Sequence, residues 1–294
     1  LVYHRPDPVS CWRDVRRVST QNSRNKELAD HYSSGALRER IEHGLNTLSQ
    51  PPTVASLGAV DEFHVGGRPA TAHLVEQLEL GPADRVLDIG SGLGGTGRYI
   101  ASSTGAAVVG VDVTEEYVHV ARWLTELVGL SSVVEFVHAA AADLPAQERE
   151  FSAATMVHVG MNIPDKAAVF TDVAAQLAPG STFGIYDLMI TGSERPDYPV
   201  PWASTPTTSF LETADDYVAH LAAAGFAIEV VTDRSEAALA GIAQQAAAAT
   251  NGPQPLGLHL VMGPATPTKF GNLVAAIRSG AIVPTEIIAR SGGN

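Results

Sequence analysis

The chain has 294 residues, 45% of them hydrophobic, which is enough to bury one large core, and its formal net charge of −13 disfavours binding to polyanionic nucleic acids. Its single cysteine, Cys11, leaves no pair for an internal disulfide, and no cluster of His and Cys residues has the spacing of a metal site. No apolar run reaches the roughly 20 residues that span a bilayer, and the start of the chain lacks a signal-peptide pattern, so we expect a cytoplasmic protein.

The first 60 residues alternate charged and apolar positions at helical spacing, and Pro51 and Pro52 interrupt the pattern. We interpret residues 1–60 as an N-terminal helical extension that precedes a main domain of residues 61–294. Eight of the 19 Lys and Arg residues lie within the first 40 positions. Because such a basic segment can pack on the acidic body of a neighbouring subunit, we expect a homo-oligomer with contacts through this extension.

From residue 84 onward, short β-branched runs alternate with longer helical stretches, the pattern of a parallel sheet with helices on both faces. The predicted strands are 85–90, 107–113, 133–139, 152–159, 182–189, 226–233 and 285–290. The predicted helices are 94–104, 114–129, 164–178 closed by Pro179 and Gly180, and 213–225. A proline-rich excursion near 191–212 is too long for an ordinary connection, so we interpret it and the helical stretch near 235–280 as lid insertions.

The stretch VLDIGSGLGGTGRYI, residues 86–100, reads as a strand, a glycine-rich turn and a helix. Gly90, Ser91, Gly92 and Gly94 belong to a G-x-G-x-x-G pattern that is typical of dinucleotide sites. Asp88 precedes the turn, where a carboxylate repels a pyrophosphate but binds an ammonium group with about 1.5 to 3 kcal/mol. We therefore favour S-adenosylmethionine (SAM) as the ligand, and a nicotinamide-dependent oxidoreductase is the alternative.

Two further acids follow the next two predicted strands. Asp112, with Val113 beside it, ends the second strand, where an acid commonly binds ribose hydroxyls. Asp143 follows the third strand, where its carboxylate can accept the adenine amino group while Ala142 and Leu144 sandwich the ring. Three acids after three successive strands suit a ligand that has an amine, a ribose and an adenine.

With these motifs the chain resembles the class I SAM-dependent methyltransferases. The similarity covers about residues 60–190 by motif and extends to the C-terminus by strand order. It implies a Rossmann-like, doubly wound α/β sheet of about seven strands with the last strand antiparallel, together with the N-terminal extension and the lid insertions. It also implies that SAM donates a methyl group by SN2 displacement.

Two stretches are similar to the small-molecule branch of that superfamily, which includes sarcosine/dimethylglycine, tocopherol and quinone-biosynthesis methyltransferases. They are DEFHVGGRPAT, residues 61–71, and VHVGMNIPDKAAVF, residues 157–170. This resemblance implies that His64 and Gly67 lie on the sulfonium side of the pocket and that His158 contacts cofactor and substrate. The expected partner is a small-molecule methyl acceptor, a specialised natural product, whose reacting atom is oxygen, nitrogen or carbon.

The candidate catalytic residues lie where strands or lids meet the expected crevice. His158, at the end of the fourth strand, either takes a proton or positions the acceptor. Asp187, at the end of the fifth strand, is expected to face the substrate, with a helix cap or a salt bridge as the alternative role. His64 is a further catalytic candidate, with a structural histidine that caps neighbouring backbone as the alternative. Tyr32 and Trp202 are candidates to lie over the methyl group or the substrate. A SAM-binding protein without turnover is the non-enzymatic alternative.

Overall fold

The computed structural model describes residues 32–33, 35–140, 151–249 and 254–292. The β-strands in these ranges are β1 Arg85–Ile89, β2 Ala107–Asp112, β3 Val134–His138, β4 Phe151–Val157, β5 Leu177–Ile190, β6 Phe226–Asp233 and β7 Ile282–Ser291. The α-helices are α1 Leu37–Leu45, α2 Val54–Asp61, α3 Gly67–Gln77, α4 Gly95–Thr104, α5 Glu115–Leu127, α6 Lys166–Gln176, α7 Ala214–Ala223, α8 Ser235–Ala249, α9 His259–Met262 and α10 Thr266–Ser279. Predictions for residues 1–31 lie outside the described residues.

The seven strands form one sheet in the order β3-β2-β1-β4-β5-β7-β6. β1 to β5 are parallel to one another, and β7 pairs antiparallel with both β5 and β6. The central strands consist largely of Val, Ala, Leu, Ile and Met, as expected of strands that helices cover on both faces. The predicted doubly wound sheet with an antiparallel last strand is confirmed.

The strand order determines where a ligand site lies. The chain runs outward from β1 through β2 to β3 and then returns to place β4 on the other side of β1. In doubly wound folds, such a reversal opens a crevice beyond the carboxyl ends of the two central strands. The sequence motifs that follow β1, β2 and β4 therefore meet at one edge of the sheet.

The boundary between α6 and β5 differs from the prediction. α6 ends at Gln176, and β5 already begins at Leu177, so Pro179 and Gly180 lie in the strand rather than at the end of the helix. The residue before a proline avoids helical backbone angles, which favours an extended chain at this point. Phe151 pairs with Leu177, and the register shifts between Phe151 and Ala153.

The last strand is longer than predicted because it includes Pro284. The carbonyl of Pro284 accepts a hydrogen bond from the amide of Arg234, so the proline nitrogen faces the same side as β6. The β6 pairing ends one residue away, at Asp233 opposite Thr285. The ladder to β5 therefore loses no hydrogen bond. Pro284 lies inside β7, whereas the predicted strand began after it, at residue 285.

The lid segment 191–212 packs against the end of the sheet and α10. Trp202 is 2% exposed and shares an apolar cluster with Leu188 of β5 and Leu273 of α10. On the other side of the crevice, Leu37 and Ile41 of α1 pack with Tyr117 of α5. Among the described helices, none is long and apolar enough to cross a bilayer.

Candidate functional site

A cavity of about 800 Å³ opens at the carboxyl ends of β1, β2 and β4. Residues 61–65, the lid segment and α10 complete its walls, so it is formed by the fold as a whole. Among the residues predicted from the sequence, those that line it are Tyr32, His64, Asp88, Gly90, Ser91, Gly92, Asp112, Val113, His158 and Trp202.

The glycine-rich turn brings bare backbone to the cavity wall. Gly90 and Gly92 have φ values of 65° and 53°, a left-handed conformation that favours glycine. A Cβ added at Gly90 would clash with the side chain of Val159, whereas one at Gly92 would meet no atom within 4 Å. Gly94 does not line the cavity as predicted; it precedes α4 with φ 85°, and a Cβ there would clash with Phe136.

Asp88 supplies a buried carboxylate beside this turn. The side chain is 2% exposed, and its Oδ1 accepts a hydrogen bond of 2.8 Å from the Thr155 hydroxyl. Its Oδ2 is buried and has no hydrogen-bond partner among the described residues, and burial raises the pKa of the carboxyl to about 7. Because a buried carboxylate is costly unless it is paired, the site fits a ligand that brings a cationic donor.

Asp112 connects the end of β2 to the glycine turn. Its Oδ2 accepts the amide of Gly92 and its Oδ1 accepts the amide of Thr114, each at 2.8 Å. Burial raises the pKa of this carboxyl, and the two amides oppose that shift. Asp112 and Val113 therefore line the cavity where the resemblance implies a ribose contact. The proposed adenine contacts, Ala142, Asp143 and Leu144, lie outside the described residues.

His158 has an unusual backbone and an unpaired ring nitrogen. Its φ of 54° is rare for a residue other than glycine, and its amide donates a 2.7 Å hydrogen bond to the Tyr186 carbonyl. The imidazole lies 5.7 Å from that of His64 and 5.1 Å from the Tyr186 ring, between centroids. Its Nε2 is buried without a hydrogen-bond partner among the described residues. Burial lowers its pKa well below 6.5, so the ring is neutral near pH 7.

His64 has a structural network of its own. Its Nε2 lies 3.1 Å from the Gly67 carbonyl and 3.0 Å from the Thr71 hydroxyl, and Thr71 donates to the Glu62 carboxylate at 2.5 Å. Burial lowers the pKa of His64 to about 4. Gly67 does not line the cavity as predicted, because its carbonyl faces His64 and the residue begins α3.

Asp187 does not reach the cavity, which corrects its predicted role toward the substrate. It is fully buried, and its carboxylate accepts the amides of Gly160 and Leu188 and the hydroxyl of Tyr217, at 2.7 to 2.9 Å. Burial raises its pKa to about 6. Asp187 therefore fixes the turn after β4 that carries His158, the capping role that the sequence analysis gave as the alternative.

Tyr32 and Trp202 approach the cavity from opposite sides. The Tyr32 hydroxyl donates to Asn162 Oδ1 at 3.2 Å, and its ring lies 6.2 Å from that of Phe63 in an edge-on contact. The Trp202 indole donates to the Ser209 hydroxyl at 2.9 Å. Both rings line the cavity wall, and their predicted place over the methyl group or substrate stays a prediction.

Several wall residues were not anticipated from the sequence. Phe210 comes from the segment 191–212 and Phe270 from α10. In the sequence, only their size and their place in the two predicted lid insertions could have indicated that they line the cavity. Asp61 also lines the cavity, and the guanidinium of Arg98 binds it at 2.6 Å. Arg98 is fully buried in α4, the helix that follows the glycine turn. The pair therefore joins the end of α2 to α4.

The described residues contain no group of three or more His, Cys, Asp or Glu side chains arranged to hold a metal ion. The ionisable side chains that line the cavity beside the glycine turn and the end of β4 include Asp88, whose Oδ2 has no hydrogen-bond partner among the described residues, and Asp112, which is bound by backbone amides. His64 and His158 add two neutral imidazoles.

Comparison with known proteins finds similarity over part of the chain. Residues 86–180 match the family model described as a methyltransferase domain. The chain is 30% identical over 182 residues to Methyltransferase GfsG of Streptomyces halstedii, covering 60% of this chain and 65% of that protein. It is 31% identical over 119 residues to Sterol 24-C-methyltransferase ERG6B of Gibberella zeae, covering 40% and 31%. The chain thus spans between about a third and two thirds of the length of these curated relatives.

Solved structures resemble the chain along nearly its whole length. Geranyl diphosphate C-methyltransferase from Streptomyces coelicolor, in complex with Mg²⁺, geranyl diphosphate and S-adenosyl-L-homocysteine, matches with a TM-score of 0.67 at 15% identity, covering 92% of this chain and 98% of that one. The [4+2]-cyclase SpnF matches with a TM-score of 0.63 at 20% identity, covering 92% and 97%. These likenesses show the fold, which hosts more than one reaction.

Proposed function

Because residues 86–180 form a methyltransferase domain and the sheet has the class I methyltransferase fold, we propose that the protein transfers a methyl group from SAM to a small-molecule acceptor. The observation that carries this proposal is the buried carboxylate of Asp88, whose Oδ2 has no partner among the described residues, beside the glycine turn. A dinucleotide pyrophosphate would meet this carboxylate with like charge, whereas the ammonium group of SAM pairs with it.

The cofactor is held at three places along the edge of the sheet. Asp88 binds the ammonium group, and Asp112 binds the ribose hydroxyls while the Gly92 amide holds its carboxylate in place. The left-handed turn at Gly90 lets the backbone approach the ligand without side-chain interference. Asp143 is proposed to accept the adenine amino group, as the sequence motif implies.

When bound, SAM supplies a methyl group on a sulfonium, so the leaving group of the SN2 displacement is already activated. The main task of the protein is then to orient the acceptor, and well-oriented reactants gain roughly 7 to 11 kcal/mol of the barrier. The aromatic side chains of Phe63, Trp202 and Phe210 line the cavity and exclude water from it. A cavity of about 800 Å³ suits a small metabolite, and we propose a specialised natural product as the acceptor.

His158 is proposed to contact the acceptor. Its neutral imidazole has an unpaired Nε2, which can accept a hydrogen bond or take a proton from a hydroxyl or an ammonium group. His158→Ala and His158→Gln separate these roles once an acceptor is available. If His158 acts as a base, both variants lose about 10² to 10⁴-fold in turnover and higher pH restores part of it, while affinity for S-adenosylhomocysteine (SAH) is unchanged. If His158 only positions the acceptor, His158→Gln retains most of the turnover.

A crystal structure with SAH tests the proposed function. We expect the ammonium group beside Asp88, the ribose beside Asp112, and the sulfur turned toward the part of the cavity that His158 and Trp202 line. Density for the ligand that leaves Asp88 unpaired, or that directs the sulfur away from the cavity, would contradict the proposal. Asp88→Asn in the same crystals is the matched control, because it keeps the shape of the side chain and removes its charge.

The N-terminal extension is proposed to mediate homo-oligomerisation, on the basis of its concentration of Lys and Arg in an acidic chain. Light scattering on the full chain and on a variant that lacks residues 1–30 measures the mass of the assembly. A smaller assembly after the deletion supports this proposal, and an unchanged one contradicts it.

A further inference from the structure

The charged side chains that line the cavity within the described part of the chain are all acidic. Among the described residues that line it, no Lys or Arg is present, and the charged side chains are Asp61, Asp88, Asp112, Asp165 and Asp172. Asp61 binds Arg98, and Asp88 and Asp112 flank the glycine turn. Asp165, which accepts the amide of Ala168 at the start of α6, and Asp172 of the same helix line another part of the wall.

Two described cations near the cavity, Arg98 and Lys166, already have buried partners. The guanidinium of Arg98 binds Asp61 and, through Nη1, the Ala121 carbonyl and the Thr125 hydroxyl. The ammonium group of Lys166 is buried, donates to the carbonyls of Ile163 and Phe210, and lies 3.5 Å from Glu212. Neither side chain can turn toward a ligand without leaving a buried acceptor or carboxylate unpaired.

The two histidines of the cavity add no positive charge. Burial lowers the pKa of His64 to about 4 and that of His158 well below 6.5. Near neutral pH both rings offer the hydrogen bonds of an uncharged imidazole, so an anionic acceptor would find only neutral or negative side chains in the described wall.

The remaining wall is apolar and largely aromatic. Its large apolar members include Phe63, Met161, Leu188, Trp202, Phe210 and Phe270. They come from residues 61–65, the turn after β4, β5, the segment 191–212 and α10. Burial of apolar surface in such a wall is worth about 25 cal/mol for each Å², which favours a hydrocarbon skeleton as the part of the ligand that lies there.

Resting on the proposed function, we propose that the methyl acceptor is an uncharged, largely apolar molecule and carries no phosphate, diphosphate or carboxylate group. The similar structure of geranyl diphosphate C-methyltransferase was solved with a diphosphate ligand, so this chain is proposed to share that fold with an opposite preference for the charge of its substrate. The cavity selects against the anion by the sign of its charges and the absence of a pairing cation in the described wall.

Two probes with the same hydrocarbon chain test this inference: geraniol and geranyl diphosphate, titrated calorimetrically into the full-length protein with and without saturating SAH. Each titration is run with and without Mg²⁺, because the similar structure was solved with both Mg²⁺ and its diphosphate, and the expected preference holds in both conditions. We expect geraniol to bind at least about tenfold more tightly than geranyl diphosphate. Equal or tighter binding of the diphosphate would overturn the inference, and so would the failure of geraniol to bind. SAH affinity is measured first on the same protein, so a failure of the cofactor assignment is distinguished from a failure of the charge preference.

A gain-of-charge variant makes the test independent of the absolute affinity. Thr208 is an exposed residue that lines the cavity, and Thr205 is an exposed residue of the same loop outside it. We expect Thr208→Arg to tighten binding of geranyl diphosphate several-fold and to leave geraniol unchanged, because it supplies the pairing cation that the described wall lacks. Thr205→Arg is the matched control with the same net charge. An equal effect of both variants would overturn the proposed role of the cavity wall.

Discussion

Cofactor binding is expected to be coupled to the ionisation of Asp88. Burial raises the pKa of this carboxyl to about 7, and Thr155 gives it one hydrogen bond. An ammonium group beside the carboxylate favours its charged form, so binding of SAH expels a proton whenever the empty site is protonated. The affinity is therefore fully present above about pH 7 and decreases as the pH falls below that value.

The magnitude follows from the position of this pKa. One pKa unit corresponds to about 1.4 kcal/mol, and half of the carboxyls are already protonated at a pH equal to the pKa. Between about pH 7 and pH 5 the loss is therefore about 2.3 kcal/mol, or roughly 50-fold in Kd, if the bound carboxyl stays ionised. This agrees with about 1.5 to 3 kcal/mol for a hydrogen bond to a charged group. Asp88→Asn is expected to bind SAH more weakly at neutral pH and with little dependence on pH.

Calorimetry in buffers of different ionisation enthalpy measures both the Kd and the protons released. Near about pH 6 we expect close to one proton to leave the wild type and the Asp112→Asn control, and none to leave Asp88→Asn. The reasoning would be refuted by a pH-independent Kd in the wild type, or by an unchanged pH dependence in Asp88→Asn.

Three further substitutions have specific expected outcomes. Thr155→Val removes the hydrogen bond that lowers the pKa of Asp88, so the pH below which SAH affinity falls should move upward; an unmoved profile contradicts this. Gly90→Ala forces a Cβ toward Val159 and should weaken SAH binding far more than Gly92→Ala, which calorimetry compares directly. Arg98→Met removes the nearer of the two cations beside the buried Asp61 and leaves Arg68 at 3.8 Å, so denaturant titration should show about 3 kcal/mol less stability. Adding Asp61→Asn should recover part of the loss, and no recovery argues against the pair.

The sheet, and the edge at the carboxyl ends of β1, β2 and β4, were predictable from the sequence. β-branched runs, glycine turns and strand-end acids are local signals, and a doubly wound sheet brings the ends of β1, β2 and β4 together whatever the details of packing. The turn at Gly90 and the acids Asp88 and Asp112 therefore line the cavity where the motifs placed them.

Residues whose roles depend on tertiary partners were less predictable. Asp187 lies near the end of β5, but its carboxylate accepts hydrogen bonds from the Gly160 amide and the Tyr217 hydroxyl. The sequence around Asp187 does not indicate either contact. Pro284 lies in β7 because the neighbouring ladder ends beside it, which is a property of the sheet and not of the strand. Phe270 reaches the cavity only through the packing of α10.

The central claim, that the glycine turn and Asp88 hold SAM, is tested most directly by calorimetry of the purified protein with SAM, SAH and NAD. The account predicts that SAM and SAH bind and NAD does not. SAM and SAH each carry an ammonium group that pairs with Asp88, whereas NAD carries a pyrophosphate that the Asp88 carboxylate repels. Binding of NAD without binding of SAM or SAH would contradict the claim and favour a nicotinamide-dependent oxidoreductase.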